Sequence, residues 1–359
     1  MTVSDLLAAV ALYLGFVAVL FIGSVVLPGR AYLGAELADG SRIRYRLNGL
    51  GLLVLVLTAV GVLTATAPWV LVWPYHLFVP LLVGANVFAF ALAALLYWYG
   101  RPSVPVGTAD TGGLLRGLFY GAQLNPTWAG VDLKMFSYRP SLIGLLLFDY
   151  SFAAAQYERY GYLTDRMVLF QLFCTLYVVN YFQFEYGMLY TWDIVAERFG
   201  WALVWGDYVL VPFFYCLPGF FLVDNREPLP TWVAIVLTVS YALGFWLFRG
   251  ANNQKHRVKL DPKTRIWGRP AELLGGRLLV SGFWGLGRKL NYTGELMIYL
   301  SFTLLCGFGS PTPYLLPAWL AGLLIHRARR DDRRCRAKYG ELWTAYCRRA
   351  RFRMVPFIY

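Results

Sequence analysis

The stretch PYLLPAWLAGLLIHRARRDDRRCRAKYGELWTAYCRRARFRMVPFIY, residues 313–359, changes character at His326. Thirteen residues with no charge run straight into a dense basic segment. Within that segment Arg327, Asp331, Cys335 and Tyr339 recur at intervals of four. On an α-helix this spacing holds all four on one slowly drifting face. The polar face therefore begins where an apolar, membrane-type helix ends. Two uses answer such a helix: a lipid-surface anchor, or a site for a large anion.

Composition widens this local reading to the whole chain. With 58% hydrophobic and only 15% charged residues among 359, and a mean hydropathy of +0.51, the sequence is too apolar for an ordinary soluble domain and predicts a polytopic membrane protein. The net charge of +13 is concentrated in two places. Residues 327–353 hold eleven Lys/Arg against three Asp/Glu, and residues 249–289 hold ten against two. By the positive-inside rule both belong on the cytoplasmic side, facing anionic headgroups or a phosphate-bearing ligand. Cys174, Cys216, Cys306, Cys335 and Cys347 form no CxxC pattern, and His76, His256 and His326 are far apart. No metal, disulfide framework or nucleic-acid partner is expected.

Since about 20 apolar residues cross a bilayer, the candidate spans are 5–27, 49–72, 76–98, 114–124, 141–156, 166–190, 201–223, 230–248, 293–309 and 312–326. The fold expected is all-α: a membrane bundle of about ten helices. Met1 to Leu27 reads as a first span, not a cleavable leader. Between the first two spans, AYLGAELADGSRIRYRLNG carries DG and NG turn signals and predicts a small hairpin or loop cap. The longest polar segment, NNQKHRVKLDPKTRIWGRPAELLGGR, reads as a break. It divides a transmembrane bundle, 1–248, from a C-terminal part, 249–359, made of a polar loop, two spans and the basic tail.

Four places offer chemistry. Lys255, Arg257, Lys259, Arg265 and Arg269 interleave with Trp267; the cations suit phosphate oxygens and the ring a planar base, or the loop simply holds headgroups. Asn291 and Tyr292 stand at the threshold of a span, one turn before Glu295, among glycines that suit either a ligand or close helix packing. Glu185, Asp193 and Asp207 lie within or beside aromatic-rich spans, where a carboxylate has either a reaction or a structural partner. The insert QLNPTWAGVDLKMFSYRP, residues 123–140, either gates a substrate or packs.

At these same residues the sequence resembles the sterol reductase family, which groups Δ14-, Δ7- and Δ24(28)-sterol reductases with the membrane domain of the lamin B receptor. The resemblance extends over nearly the whole chain and rests on LADGSRIRYRLNG, GAQLNP, VDLKMFSYRPSLIG, NNQK, LLVSGFWGLGRKLNYTGEL, HRARRDDRRCRAKYGELWTAYC and the closing PFIY. It implies NADPH-dependent reduction of a sterol double bond: an acid protonates the alkene and hydride quenches the carbocation. KTRIWGRPAE is similar to a loop of Δ7 reductases, so Δ7 is the main expectation and Δ14 or Δ24(28) the alternative. An isoprenylcysteine-type lipid methyltransferase and a non-catalytic sterol-binding protein are the other readings.

Carried over to matching positions, the resemblance implies a cytoplasm-side cofactor pocket of Lys255, Lys259, Leu279, Trp284, Asn291, Tyr292, Arg327, Asp331, Cys335, Tyr339 and Tyr346. It puts the sterol near Glu185, Asp193 and Asp207, with one of these or Asp331 as acid or relay and Tyr339 or Tyr181 assisting. Departures are Lys259 for the usual Arg, Lys289 for His, Glu295 for Asp, Gln123 for an acidic residue and Thr127 for Arg. The host membrane expected is a bacterial inner membrane or the endoplasmic reticulum.

Overall fold

The computed structural model describes residues 2–101 and 113–359. It is an all-α polytopic membrane protein with four two-stranded hairpins as its only sheets among the described residues. Five helices there are long and apolar enough to cross a bilayer: α1 (Val3–Val26), α2 (Gly49–Thr66), α3 (Phe78–Gly100), the composite α7 (Trp201–Leu222) and α8 (Thr231–Leu260). Four more expected spans, 141–156, 166–190, 293–309 and 312–326, fall on helices richer in polar residues: α5 (Leu133–Tyr160), α6 (Asp165–Gln183), α9 (Leu290–Thr303) and α10 (Leu315–Tyr339). The short span at 114–124 is only α4 (Gly113–Tyr120), too short to cross. A last helix, α11 (Glu341–Arg349), closes the tail.

The chain forms two compact units, Met1–Asn225 and Arg226–Tyr359. The boundary expected at 248/249 falls inside α8, which runs unbroken through NNQKHRVKL. Hydropathy drops at Arg249, but no helix breaker arrives until Asp261-Pro262, so the polar residues continue the helix. At 1.5 Å per residue its thirty residues reach about 45 Å, longer than a ~30 Å hydrocarbon layer is thick, and Lys255 and Lys259 lie in its last two turns.

In the first unit, α1 starts on a capping box: Thr2 Oγ1 accepts from the Asp5 N–H and the Thr2 N–H donates to the Asp5 carboxylate at 2.7 Å. The hairpin expected between the first two spans is β1 (Arg30–Leu33) with β2 (Arg44–Leu47), antiparallel, Tyr32 opposite Tyr45. A second hairpin, β3 (Thr127–Trp128) with β4 (Val131–Asp132), turns through Ala129 and Gly130, both at positive φ. It delivers the chain to α5, the central helix, where Asp132 caps the N-terminus and Gly161 at φ 75° ends it. Residues 206–214 of α7 wind as a π-helix around Pro212, whose missing N–H cannot continue an α ladder.

In the second unit α8 and α9 cross where Gly244 meets Gly294. A Cβ on Gly294 would lie 2.5 Å from the Gly244 carbonyl oxygen and 2.5 Å from the Phe248 nitrogen, so only glycine lets the backbones this close. Gly294→Val should therefore cost about 1–3 kcal/mol by overpacking, read as a lower Tm in detergent. An unchanged Tm would mean the helices part freely. Two hairpins, β5 (Arg265–Ile266) with β6 (Arg269–Pro270) and β7 (Leu273–Leu274) with β8 (Leu278–Leu279), bridge α8 to the glycine-rich turn before α9.

Candidate functional site

In the C-terminal unit most of the expected pocket residues converge. Trp284 is buried, its indole N–H donating to the Ala251 carbonyl at 2.8 Å, which fixes the ring against α8. Over that ring sits the Lys255 ammonium, 4.4 Å from the centroid. Leu279 packs with Trp284, Phe283 and Ile266 in one apolar cluster. Gly282, at φ 62°, makes the turn, and Phe283 N–H donates to the Gln254 side chain at 2.9 Å. Asn291 donates to the Asn252 side chain at 3.2 Å, while its own Oδ1 is buried with no hydrogen-bond partner among the described residues.

The four-residue stripe is present on α10. Arg327, Asp331, Cys335 and Tyr339 are all half-buried, while Arg329, Arg330, Arg333, Arg334, Arg336 and Lys338 are exposed. Asp331 forms an ion pair with Lys289. Burial pushes the Asp331 carboxyl up, but Lys289, with Lys255 and Arg334 behind it, more than offsets that and holds it below its usual value. Burial likewise opposes the charge on Lys289, and Asp331 overcomes it, leaving the ammonium above its ordinary pKa. Cys335 approaches Asp331 Oδ1 at 4.0 Å; burial, then Asp331, pushes its thiol up. Lys259 adds its charge to the neighbourhood of Asp331 and Lys289, and Arg327 acts on Tyr292. Tyr346 donates to the Trp284 carbonyl at 3.4 Å, and burial raises its hydroxyl's pKa. Tyr339 and Cys335 pack against Trp343, Tyr346 and Val280.

A neighbouring ion-pair set ties the tail to these residues, and the sequence carries no local sign of it. Asp332, buried beside Asp331, receives Arg353 Nε at 2.6 Å and stands 3.8 Å from Arg288. Arg288 N–H donates to the Phe352 carbonyl at 2.9 Å, Gly287 forms a parallel bridge with Phe352, and Thr293 donates to the Met354 carbonyl. The tail is thus laced to the turn that carries Lys289. Lys289 drew notice only as a departure, because its partner lies far away in sequence.

Glu185, Asp193 and Asp207 belong to the N-terminal unit, where Glu185 and Asp207 are buried and Asp193 is half-buried. Glu185 is held by Arg139 at 3.0 Å and accepts the Gly49 N–H at 3.1 Å, closing the start of α2. Asp207, on the π-helical stretch, accepts a hydrogen bond from Ser137. Lys134, only 1% exposed, donates to the carbonyls of Ile194 and Glu197 at 3.0 and 2.7 Å, and Asp193 acts on it from nearby. The Tyr181 hydroxyl is buried with no hydrogen-bond partner among the described residues. Lys134, Ser137 and Arg139 lie in the QLNPTWAGVDLKMFSYRP insert, which therefore supplies structural partners. The described residues hold no group of His, Cys, Asp and Glu arranged for a metal.

The sequence profile of the ergosterol biosynthesis ERG4/ERG24 family matches residues 6–359. The chain belongs to this family. It is 41% identical over 347 residues to the Δ14-sterol reductase of Arabidopsis thaliana, covering 95% of this chain and 93% of the relative. Over 360 residues it is 41% identical to the Δ14-sterol reductase of Methylotuvimicrobium alcaliphilum, covering 96% and 83%. With that of Schizosaccharomyces pombe the identity is 36% over 344 residues, covering 92% and 80%. For this ERG4/ERG24 member the relatives thus favour Δ14, the alternative, over the Δ7 expectation. The loop behind that expectation is an exposed hairpin turn: Trp267 and Gly268 sit at positive φ, and Trp267 is 59% exposed. Its Ile266 packs into the apolar cluster with Leu279 and Trp284, and Trp267 meets Phe283 edge-on at 5.0 Å, so the loop's residues have packing roles of their own.

Proposed function

We propose that the chain reduces the Δ14 carbon–carbon double bond of a sterol with NADPH. The observation that carries the reading is the set around Trp284: Lys255 over the ring, the Lys289–Asp331 pair, and the orphaned Asn291 Oδ1. The donor set fits this cofactor. Lys255, Lys259 and Arg327 supply cations for phosphate oxygens, Trp284 a face for a planar ring, and Asn291 Oδ1 an acceptor for a carboxamide N–H. When bound, NADPH supplies the hydride. Tyr292, Cys335, Tyr339 and Tyr346 complete the walls, and Leu279 and Phe283 exclude water behind Trp284. Asp331, in this reading, positions Lys289 and stays an anion, while Glu185 and Asp207 hold helices together. The proton then falls to Asp193, to Tyr339 or Tyr181, or to water. The charge density of the tail supports a cytoplasmic pocket.

The test uses the full chain in detergent. NADPH should raise its Tm and S-adenosylmethionine should not; the reverse would favour the methyltransferase reading. Cells accumulating defined intermediates, followed by mass spectrometry, should lose a Δ8,14-diene. Loss of 7-dehydrocholesterol alone would restore Δ7.

A further inference from the structure

At the end of the N-terminal bundle, the β1–β2 and β3–β4 hairpins and the first turns of α5 enclose a cavity of about 160 Å³. Arg44, Arg46 and Arg139 all line it, against one acidic lining residue, Asp132. Asp132 is already engaged: Oδ1 accepts the Lys134 and Met135 N–H groups at 2.9 Å, and Oδ2 accepts from Asn125 at 2.8 Å and from Tyr45 at 3.2 Å. Its charge is thus directed at the start of α5, and that of Arg139 is met by Glu185, leaving Arg44 and Arg46 in excess. Arg139 is 4% exposed; one terminal nitrogen serves Glu185 and the Arg46 carbonyl, while Nε has no hydrogen-bond partner among the described residues.

We infer that this pocket receives a phosphate group, from the headgroup of an anionic phospholipid or from inorganic phosphate. Arginines brought to the lining of one space suit a tetrahedral oxyanion, because a guanidinium can donate to it in a fork. Position agrees. The cavity sits where α1 ends and α5 begins, the level at which headgroups lie against membrane helices. Beside it the exposed Trp128 stacks on Phe21 at 4.9 Å, the kind of aromatic that settles at a bilayer interface. Arg46 is braced by donating to the Val25 carbonyl at 2.7 Å, so its fork is held in place.

The test takes the full-length, delipidated chain in detergent and measures Tm and native mass spectra. The probes are phosphatidylglycerol, phosphatidylcholine and inorganic phosphate. Phosphatidylglycerol should bind wild type and raise its Tm, with affinity falling about tenfold in Arg44→Gln/Arg46→Gln. Arg44→Gln alone, which breaks no hydrogen bond of the described residues, should give an intermediate loss. Arg42→Gln, outside the cavity and paired with Glu36, should bind as wild type does. An equal, arginine-dependent response to inorganic phosphate supports the site and assigns the free ion; a response to phosphatidylglycerol alone supports it and assigns the lipid. No difference between wild type and the double variant for either anion, or equal losses in Arg42→Gln, overturns it. So does a phosphatidylcholine response as strong as that of phosphatidylglycerol.

Discussion

Replacing Arg139 with alanine is expected to cost about 3–5 kcal/mol of stability, because it strands Glu185 as an uncompensated buried charge. Both side chains are almost wholly removed from solvent, at 4% and 5% exposure, and the pair closes at 3.0 Å. Glu185 also accepts the Gly49 N–H, so α2 loses the anchor of its first turn if the carboxylate moves. Gln at 185 keeps an oxygen for that N–H without the charge. Arg139→Ala/Glu185→Gln should accordingly recover most of the loss. Thermal unfolding in detergent measures all three chains. A single Arg139→Ala variant as stable as wild type would show that the pair does not hold the unit together.

The second large effect belongs to Asp331. Asp331→Asn leaves the Lys289 ammonium buried without its counter-ion, and the affinity for NADPH should fall about tenfold, about 1.4 kcal/mol. If Asp331 positions Lys289, the loss appears in the KM for NADPH, kcat changes little, and Asp331→Glu restores much of it. A collapse of kcat at unchanged KM would make it a proton relay instead. Stability follows the same pair. The folded pKa of Asp331 is depressed, so its contribution is present above the unfolded value near 3.8 and is lost as pH falls through the lower folded value. The folded pKa of Lys289 is raised, so its contribution is present below 10.5 and is lost as pH rises through the higher folded value. Between about pH 5 and 9 the pair is constant. A bend in the activity profile within that window that persists in Asp331→Asn belongs to another group.

What could be read from the sequence follows from the range of the forces involved. The stripe Arg327, Asp331, Cys335, Tyr339 was legible because helix periodicity is local, and the half-buried pattern on α10 matches it. The β1–β2 hairpin announced itself through its turn residues. The apolar spans were visible as runs, yet their ends were not. Polarity after Arg249 looked like a break, although nothing there stops a helix, and α8 carries Lys255 outward on a rigid rod. Partners were beyond reach. Nothing near Lys289 announces Asp331, and nothing near Glu185 announces Arg139 or the Gly49 N–H. Asp332 was indistinguishable from Asp331 by type; one helical step turns it to Arg288 and Arg353 instead. In the same way, the IWGR loop resembled a specificity element, and the structure has there a hairpin whose Ile266 packs beside Trp284.

The bridge between Gly287 and Phe352 makes the tail a strap across the turn before α9. A chain shortened between Tyr346 and Phe352 would keep every residue of the proposed pocket. Arg288 would lose the Phe352 carbonyl it donates to, Thr293 the Met354 carbonyl, and Asp332 its second cation. The spacing of the turn would then rest on the Lys289–Asp331 pair and the 3.8 Å approach of Arg288 to Asp332. The strap thus acts on the pocket without lending it a single wall.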